Sequence, residues 1–496
     1  MEREKTTDVK HVSGVKRVND VKHVSDVKNV SGVKRVYDVK RVNDVKHVNS
    51  VKHVKPVSLD ANARAVALNT LQDISRNDAY ASLALDKRLS ASKLDARDRD
   101  FAARLVYGVT ETRLTLDYMI DKLLRDPAGV EPLTRDILRL GAYQILYMDR
   151  VPDHAATFET VAVAKLLPVS MPFASLVNSV LHRLIEQRSI LKLPEDEVRR
   201  LSIEKSWPLW LTEKLIGVFG MSAAAAILGY HHDHSFLTIR MNATRVTAEE
   251  FEKRMTAAGW TFTPWIVPGS YRVKGIGAIG ADKLHRGGFY SVIGQSSMLA
   301  AEAVGAKRGM RILDACAAPG GKACHMAERM QGAGRVVAWD IHPHRVELIR
   351  SQAARLSLEN IRPVEHDAAI PLKDMNETFD AVLIDAPCSG LGVSHDKPDA
   401  RYRLTPERLL ELTDTQRRIL SACAPLTKRG GALVYSTCTI LPEENEEQIK
   451  RFLAENADFA PDKSPLYGFT PSEYGLTLLP HRDHTEGFFV ARLIRS

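Results

Sequence analysis

The sequence predicts a chain of several domains: an all-α bundle, a small α+β domain, and a C-terminal α/β domain built on a mostly parallel sheet. Three observations lead there. Amphipathic segments at helical spacing fill residues 58–190, and short alternating stretches mixed with helices follow over 191–300. Over 301–496, near-continuous apolar runs of strand length alternate with helical segments, the pattern of strands buried on both faces. With 496 residues, the chain is also too long for one compact core.

Residues 1–57 stand apart. From Asp8 a hexapeptide of the form Asp/Gly/Ser-Val-Lys-x-Val-x recurs, placing a valine at every third position from Val9 to Val54. That period matches neither a strand nor a helix, so no lasting apolar face forms, and the segment reads as a low-complexity disordered tail. Its first 56 residues hold ten Lys and four Arg against five Asp and two Glu, or +7 of the net +8. The rest of the chain is nearly neutral, so net charge does not identify what the folded part binds.

The bundle begins at "SLDANARAVALNTLQDI", with Ser58 and Asp60 as candidate caps and Ala65, Leu68, Leu71 and Ile74 on one face. Further helical patterns run through "RDFAARLVYGVTETRLTLDYMIDKLL", "LTRDILRLGAYQILYM", "ATFETVAVAKLL" and "FASLVNSVLHRLI". In the middle region, "FLTIRMN" alternates as a strand does, and "TAEEFEKRMTAAGW" reads as a helix with Thr247 as its cap and Glu250 three residues on. The run His231 to His234 lacks partner ligands at metal-site spacing, so no metal is expected.

The start "MEREKTTDVK" has no apolar segment of the secretory kind. The longest weakly polar stretch read from the sequence, Gly217 to Gly229, falls short of the roughly 18 residues a spanning helix needs. A cytoplasmic, monomeric protein without a membrane partner is the expectation. The five cysteines, Cys316, Cys324, Cys388, Cys423 and Cys438, are odd in number and form no C-x-x-C pair, which favours reduced thiols over a disulfide framework.

In the C-terminal domain the polar residues fall at strand ends, where ligands of parallel sheets bind. The first strand exits into "ACAAPGGK", Ala315 to Lys322, whose Gly320 and Gly321 permit close backbone approach before a helix N-terminus. Asp340 ends the second strand twenty residues after Gly320, a spacing common for a ribose-binding acid. Asp367 closes the third strand and Asp385 the fourth. One such aspartate is most simply a turn residue; a set of them at one edge points to a site. "DAPCSG" and "VYSTCT" bring Cys388 and Cys438 to the same edge. "PEEN" after the second cysteine reads as a helix start, with Pro442 first and Glu443 and Glu444 in the first turn.

Residues 60–187 resemble the NusB-like family through "DRDFAARLVYGV", "LRLGAYQILYMDRVPDHAA" and "ASLVNSVLHR"; the resemblance implies an RNA-binding helical module. "DACAAPGGK", "DAPCSG" and "YSTCTILPEEN" resemble the signatures of S-adenosylmethionine-dependent RNA cytosine-5 methyltransferases. With the helical domain in front, residues 60–496 are similar to the Sun/Fmu family of bacterial 16S ribosomal RNA enzymes. The resemblance implies a Rossmann-like class I methyltransferase domain and transfer of a methyl group to C5 of a cytosine in 16S rRNA. Cytosine C5 is a poor nucleophile until a thiolate adds at C6, which explains the need for cysteine.

By that resemblance Cys438 is the nucleophile, Cys388 assists product release, and Asp385 holds and protonates the N3/N4 edge of the base. Cys316, Ala317, Ala318, Pro319, Gly320, Gly321, Lys322, Asp340 and Asp367 form the cofactor site, with Asp385 at its border and Lys322 positioning cofactor and base. Cys324 and Cys423 read as core residues. In "SHDKPDARYRLTPE", Lys397, Arg401 and Arg403 beside Tyr402 suit RNA phosphate and stacking contacts. Ser394 and His395 stand where the family often has an arginine pair. Two alternatives stay open: the same chemistry on tRNA, and a non-catalytic RNA-binding assembly factor. A protein or small-molecule methyltransferase would leave the paired cysteines unexplained.

Overall fold

The computed structural model describes residues 60–77, 79–167, 171–231 and 235–496. The repeat segment read as a disordered tail lies outside these residues, as do positions 232–234 of the histidine run.

The N-terminal region is helical: Ala63–Asn77, Ala81–Ala91, Ala96–Glu111, Arg113–Asp121, Pro132–Tyr147, Asp153–Leu166 and Met171–Gln187. Asp60 is not the first cap, and Ser58 lies outside the described residues. Asn62 serves instead, its Oδ1 accepting from the Arg64 and Ala65 N–H groups at 3.0 and 3.1 Å. The expected face of that helix is buried: Ala65, Leu68 and Leu71 join Leu105, Ile137, Leu140 and Leu181 in one core. At Gly108 the helices approach so closely that a Cβ would stand 2.0 Å from the Tyr143 ring, so any larger residue would force them apart.

Helices Glu197–Glu204 and Leu209–Leu228 lead towards the C-terminal half. The apolar stretch read from Gly217 in fact begins at Leu209, and the resulting helix is long and apolar enough to cross a membrane by length and composition. It breaks at Gly220, where φ is 76° and ψ 163°. Its Leu211, Leu215 and Ile227 pack with Trp207 against Leu391, Leu404, Leu409 and Leu441. Part of this helix's apolar surface thus has a partner inside the protein, while Leu209 and Val218 stay exposed.

The middle region carries an antiparallel sheet of β1 (Leu237–Met241), β2 (Thr261–Pro264), β3 (Ser270–Lys274) and β4 (Tyr290–Val292), ordered β2-β3-β1-β4. Helix Ala248–Ala257 follows β1, and Thr247 caps it through the Glu250 N–H at 3.3 Å. A buried Arg240–Glu328 ion pair and a 3.0 Å bond from Asn242 Nδ2 to the Leu356 carbonyl fasten this sheet to the C-terminal half. The expected boundary at residue 300 falls inside helix Gln295–Ala303, whose Met298 and Leu299 share a core with Ala323 and Met326. The described residues from Asp60 onward form one compact unit.

The C-terminal sheet comprises β5 (Arg311–Asp314), β6 (Arg335–Asp340), β7 (Ile361–Glu365), β8 (Phe379–Asp385), β9 (Thr427–Thr437), β10 (Phe459–Pro461), β11 (Leu476–Leu478) and β12 (Phe488–Arg495). Its order is β10-β12-β9-β8-β5-β6-β7, with β11 on β12. Strands β5 to β9 pair in parallel, while β10, β11 and β12 add an antiparallel edge, so the sheet is mixed. From β5 the chain builds outward through β6 and β7, then crosses to β8 on the other side. That reversal opens a crevice at the carboxyl ends of β5 and β8, the place where α/β sheets bind ligands.

Candidate functional site

Two loops meet at this crevice. The register pairs Asp385 at the end of β8 with Ser436 near the end of β9, so the residues that follow emerge side by side. Cys388 Sγ and Cys438 Sγ lie 3.2 Å apart, both half-buried. The Ser436 hydroxyl donates to Asp385 Oδ1 at 2.8 Å, and Lys322 Nζ donates to Asp385 Oδ2 at 2.8 Å and to Ser297 Oγ at 3.3 Å.

The two thiols have opposite electrostatics. The hydrogen bond from Cys388 holds the Cys438 thiol below its ordinary value; burial and Asp385 oppose this, while Lys322 and Lys397 add to it. Cys388 is pushed well up, first by that same hydrogen bond and then by burial, the Cys438 charge and Glu444. The shared hydrogen bond thus favours Cys438 as the more acidic thiol of the pair. Burial pulls the Lys322 ammonium down, but Asp385 outweighs it, and Lys322 is held above its usual value.

The loop after β5 lies beside them. Gly320 adopts φ 108°, and a Cβ there would meet the Ile349 Cα at 3.2 Å, so glycine alone fits where the chain enters helix Gly321–Arg329. Cys316 is pushed well up by burial, so its thiol is not a ready nucleophile. Ala317 is buried, Ala318 half-buried and Pro319 exposed. Asp340 is buried, its Oδ1 accepting from the His342 N–H at 3.1 Å. Asp367 lies two residues beyond β7 and accepts from the Ala369 N–H at 2.9 Å, as a turn residue does. Cys324 and Cys423 are buried, each pushed up to about 12 by burial, in line with core roles.

One acid was not foreseen. Asp314, the last residue of β5, is wholly buried, and neither carboxylate oxygen has a well-aligned hydrogen-bond partner. Burial and the Asp385 charge push it up to about 7, with Lys322 opposing. A buried carboxylate at a strand end with so few partners suits a ligand with positive charge. The same pattern of aspartates at strand ends could have identified it, since it precedes "ACAAPGGK" by one residue.

The expected RNA-contact residues divide. Lys397 is exposed and close enough to act on Cys438. Arg401 needs correction: it is 2% exposed, its guanidinium 4.7 Å over the Trp207 ring and its Nη1 3.3 Å from the Lys205 carbonyl. It fastens the catalytic domain to the preceding helices and is not available to a phosphate. Tyr402 shares that task, donating to the Ser206 carbonyl at 2.8 Å. Arg403 is half-buried, with its guanidinium 4.1 Å over the Tyr80 ring. Among the described residues, no group of three or more His, Cys, Asp and Glu is placed to hold a metal ion.

Comparison with known proteins agrees with this geometry. Residues 301–494 match the family described as 16S rRNA methyltransferase RsmB/F, and residues 61–186 match the NusB family. The chain is 37% identical over 446 residues to the probable ribosomal RNA small subunit methyltransferase B of Bacillus subtilis, covering 87% of this chain and 98% of that one. It is 34% identical over 439 residues to ribosomal RNA small subunit methyltransferase B of Thermus thermophilus, covering 87% and 97%. The crystal structure of PH0851 shares the fold, with a TM-score of 0.75 at 24% identity over 89% of this chain and 99% of the other. The buried Asp314 carboxylate suits the ammonium of S-adenosylmethionine. The chain belongs to the RsmB/F family of S-adenosylmethionine-dependent rRNA methyltransferases.

Proposed function

We propose that this protein methylates C5 of a cytosine in 16S rRNA, with Cys438 as the covalent nucleophile. The observation that carries the reading is the thiol pair at 3.2 Å beyond the ends of β8 and β9, with the Lys322–Asp385 ion pair at the same strand ends. The relatives' names favour small-subunit rRNA over tRNA as substrate.

Residues 316–322, Asp314 and Asp340 would hold S-adenosylmethionine, which supplies a methyl group on a sulfonium when bound. The rest falls to this chain's side chains. The Cys438 thiolate adds at cytosine C6, and its electron pair makes C5 an enamine carbon able to take a methyl group. Asp385, oriented by Ser436 and Lys322, holds the N3/N4 edge of the base in place for that addition. After methylation the C5 proton leaves to a base, the C6–Sγ bond breaks, and its electrons return to Cys438. Cys388 stands beside the breaking bond and assists this release. Exposed Lys397 contacts the RNA backbone.

The experiment is bisulfite sequencing of total rRNA and tRNA from cells lacking the gene, complemented with the wild type or with Cys438→Ala. The reading predicts loss of one 16S cytosine mark that only the wild type restores. Loss of a tRNA mark would overturn the substrate, and no change in any mark would overturn the activity.

A further inference from the structure

Two residues adjacent in sequence hold the two cysteine loops. Glu444 is fully buried, and its Oε1 accepts from the Ser389 N–H at 2.8 Å and from Gln416 Nε2 at 3.0 Å. Its Oε2 accepts from the Ser389 hydroxyl at 2.5 Å. The same Gln416 nitrogen donates to the Pro387 carbonyl at 2.9 Å, so both neighbours of Cys388 are gripped. Asn445, also fully buried, does the same for Cys438. It accepts from the Thr437 hydroxyl at 2.5 Å and donates to the Thr439 carbonyl at 3.0 Å. The Ser389 and Thr439 hydroxyls, 2.8 Å apart, close the bridge between the loops.

A buried carboxylate is expensive to desolvate, and a helix start has no need of one. Both carboxylate oxygens of Glu444 accept from Ser389, next to Cys388, and Oε1 also accepts from Gln416, which itself holds the Pro387 carbonyl. We infer that Glu444 and Asn445 are positioning residues, a clamp that sets the distance between the two thiols and through it the reactivity of Cys438. The inference rests on reading Cys438 as the nucleophile.

The groups that face Cys438 are Cys388, Lys322, Lys397 and Asp385. Cys388 is the largest influence, and a hydrogen bond to a thiolate weakens steeply with distance. The clamp therefore acts through the Cys388 proton. Glu444 also acts by charge, since it helps keep that proton on Cys388.

The test is the pH dependence of iodoacetamide alkylation at Cys438, read by peptide mass spectrometry on the full chain without RNA or cofactor. Glu444→Ala is expected to raise the midpoint by about one pH unit, and Ser389→Ala by about half a unit. Glu444→Gln keeps an acceptor for the Ser389 N–H and should recover most of the shift. Cys388→Ala alone should raise the midpoint as far, and adding Glu444→Ala to it should raise it no further. Should Glu444→Ala fail to fold, an unmoved midpoint in Ser389→Ala overturns the clamp. An unmoved midpoint in folded Glu444→Ala, or an equal further rise on top of Cys388→Ala, also overturns it. No methyl transfer is read, so an error in the proposed substrate leaves the outcome unchanged.

Discussion

Cys388 and Cys438 stand thiol to thiol at 3.2 Å although fifty residues separate them. They meet because β8 and β9 are adjacent parallel strands with Asp385 and Ser436 in register. Several consequences of this pairing and its surroundings are measurable.

Thiols this close should cross-link under mild peroxide, each losing its hydrogen as the peroxide is reduced to water. Treatment should abolish methyl transfer, and dithiothreitol should restore it. Mass spectrometry should find one disulfide linking the Cys388 and Cys438 peptides, with Cys324 and Cys423 untouched in their buried sites.

Lys322 neutralises Asp385 and favours the Cys438 thiolate. Lys322→Met should lower single-turnover methyl transfer by about 100-fold and raise the Cys438 alkylation midpoint. Lys322→Arg should not restore the rate, because a planar guanidinium does not fit a site shaped for a compact ammonium that bridges Asp385 and Ser297.

Asp314 gives a pH signature. Its folded-state value of about 7 lies above that of an unfolded aspartate. From about pH 4 to 7 the folded state therefore keeps a proton that the unfolded state has released. Stability of the ligand-free protein should fall as pH rises through that window. Asp314→Asn should flatten this dependence and raise Tm at pH 8 by about 2–4 °C. The same substitution should weaken S-adenosylmethionine binding, measured by calorimetry, because the carboxylate opposite the cation is gone.

Arg401 and Lys397 should separate stability from RNA binding. Arg401→Ala removes a guanidinium packed on Trp207 and should lower Tm by about 2–4 °C, leaving the salt dependence of RNA binding unchanged. Lys397→Ala should do the reverse, keeping Tm and reducing the salt slope by just under one.

Much of this site was legible in the sequence because parallel sheets display their chemistry at strand ends. Apolar runs terminating in Asp340, Asp385 and the two cysteine segments located the crevice without coordinates. Glu444 and Asn445 were hidden because a glutamate after proline is ordinary at a helix start, and its burial depends on Ser389 and Gln416 in other segments. Arg401 misled for the same reason: beside a tyrosine it looks like a nucleic-acid contact until Trp207, nearly two hundred residues earlier, covers it. The apolar run was cut short at Gly217 because Glu213 and Lys214 interrupt it in sequence, although helix Leu209–Leu228 carries both.

The central claim is that Cys438 forms the bond to the base and Cys388 helps to break it. Denaturing gel analysis of the protein incubated with S-adenosylmethionine and 16S rRNA tests this most directly. The account predicts that Cys388→Ala accumulates a denaturant-stable protein–RNA adduct, whereas Cys438→Ala and the double variant form none. An adduct in Cys438→Ala, or none in Cys388→Ala while methyl transfer continues, would contradict it.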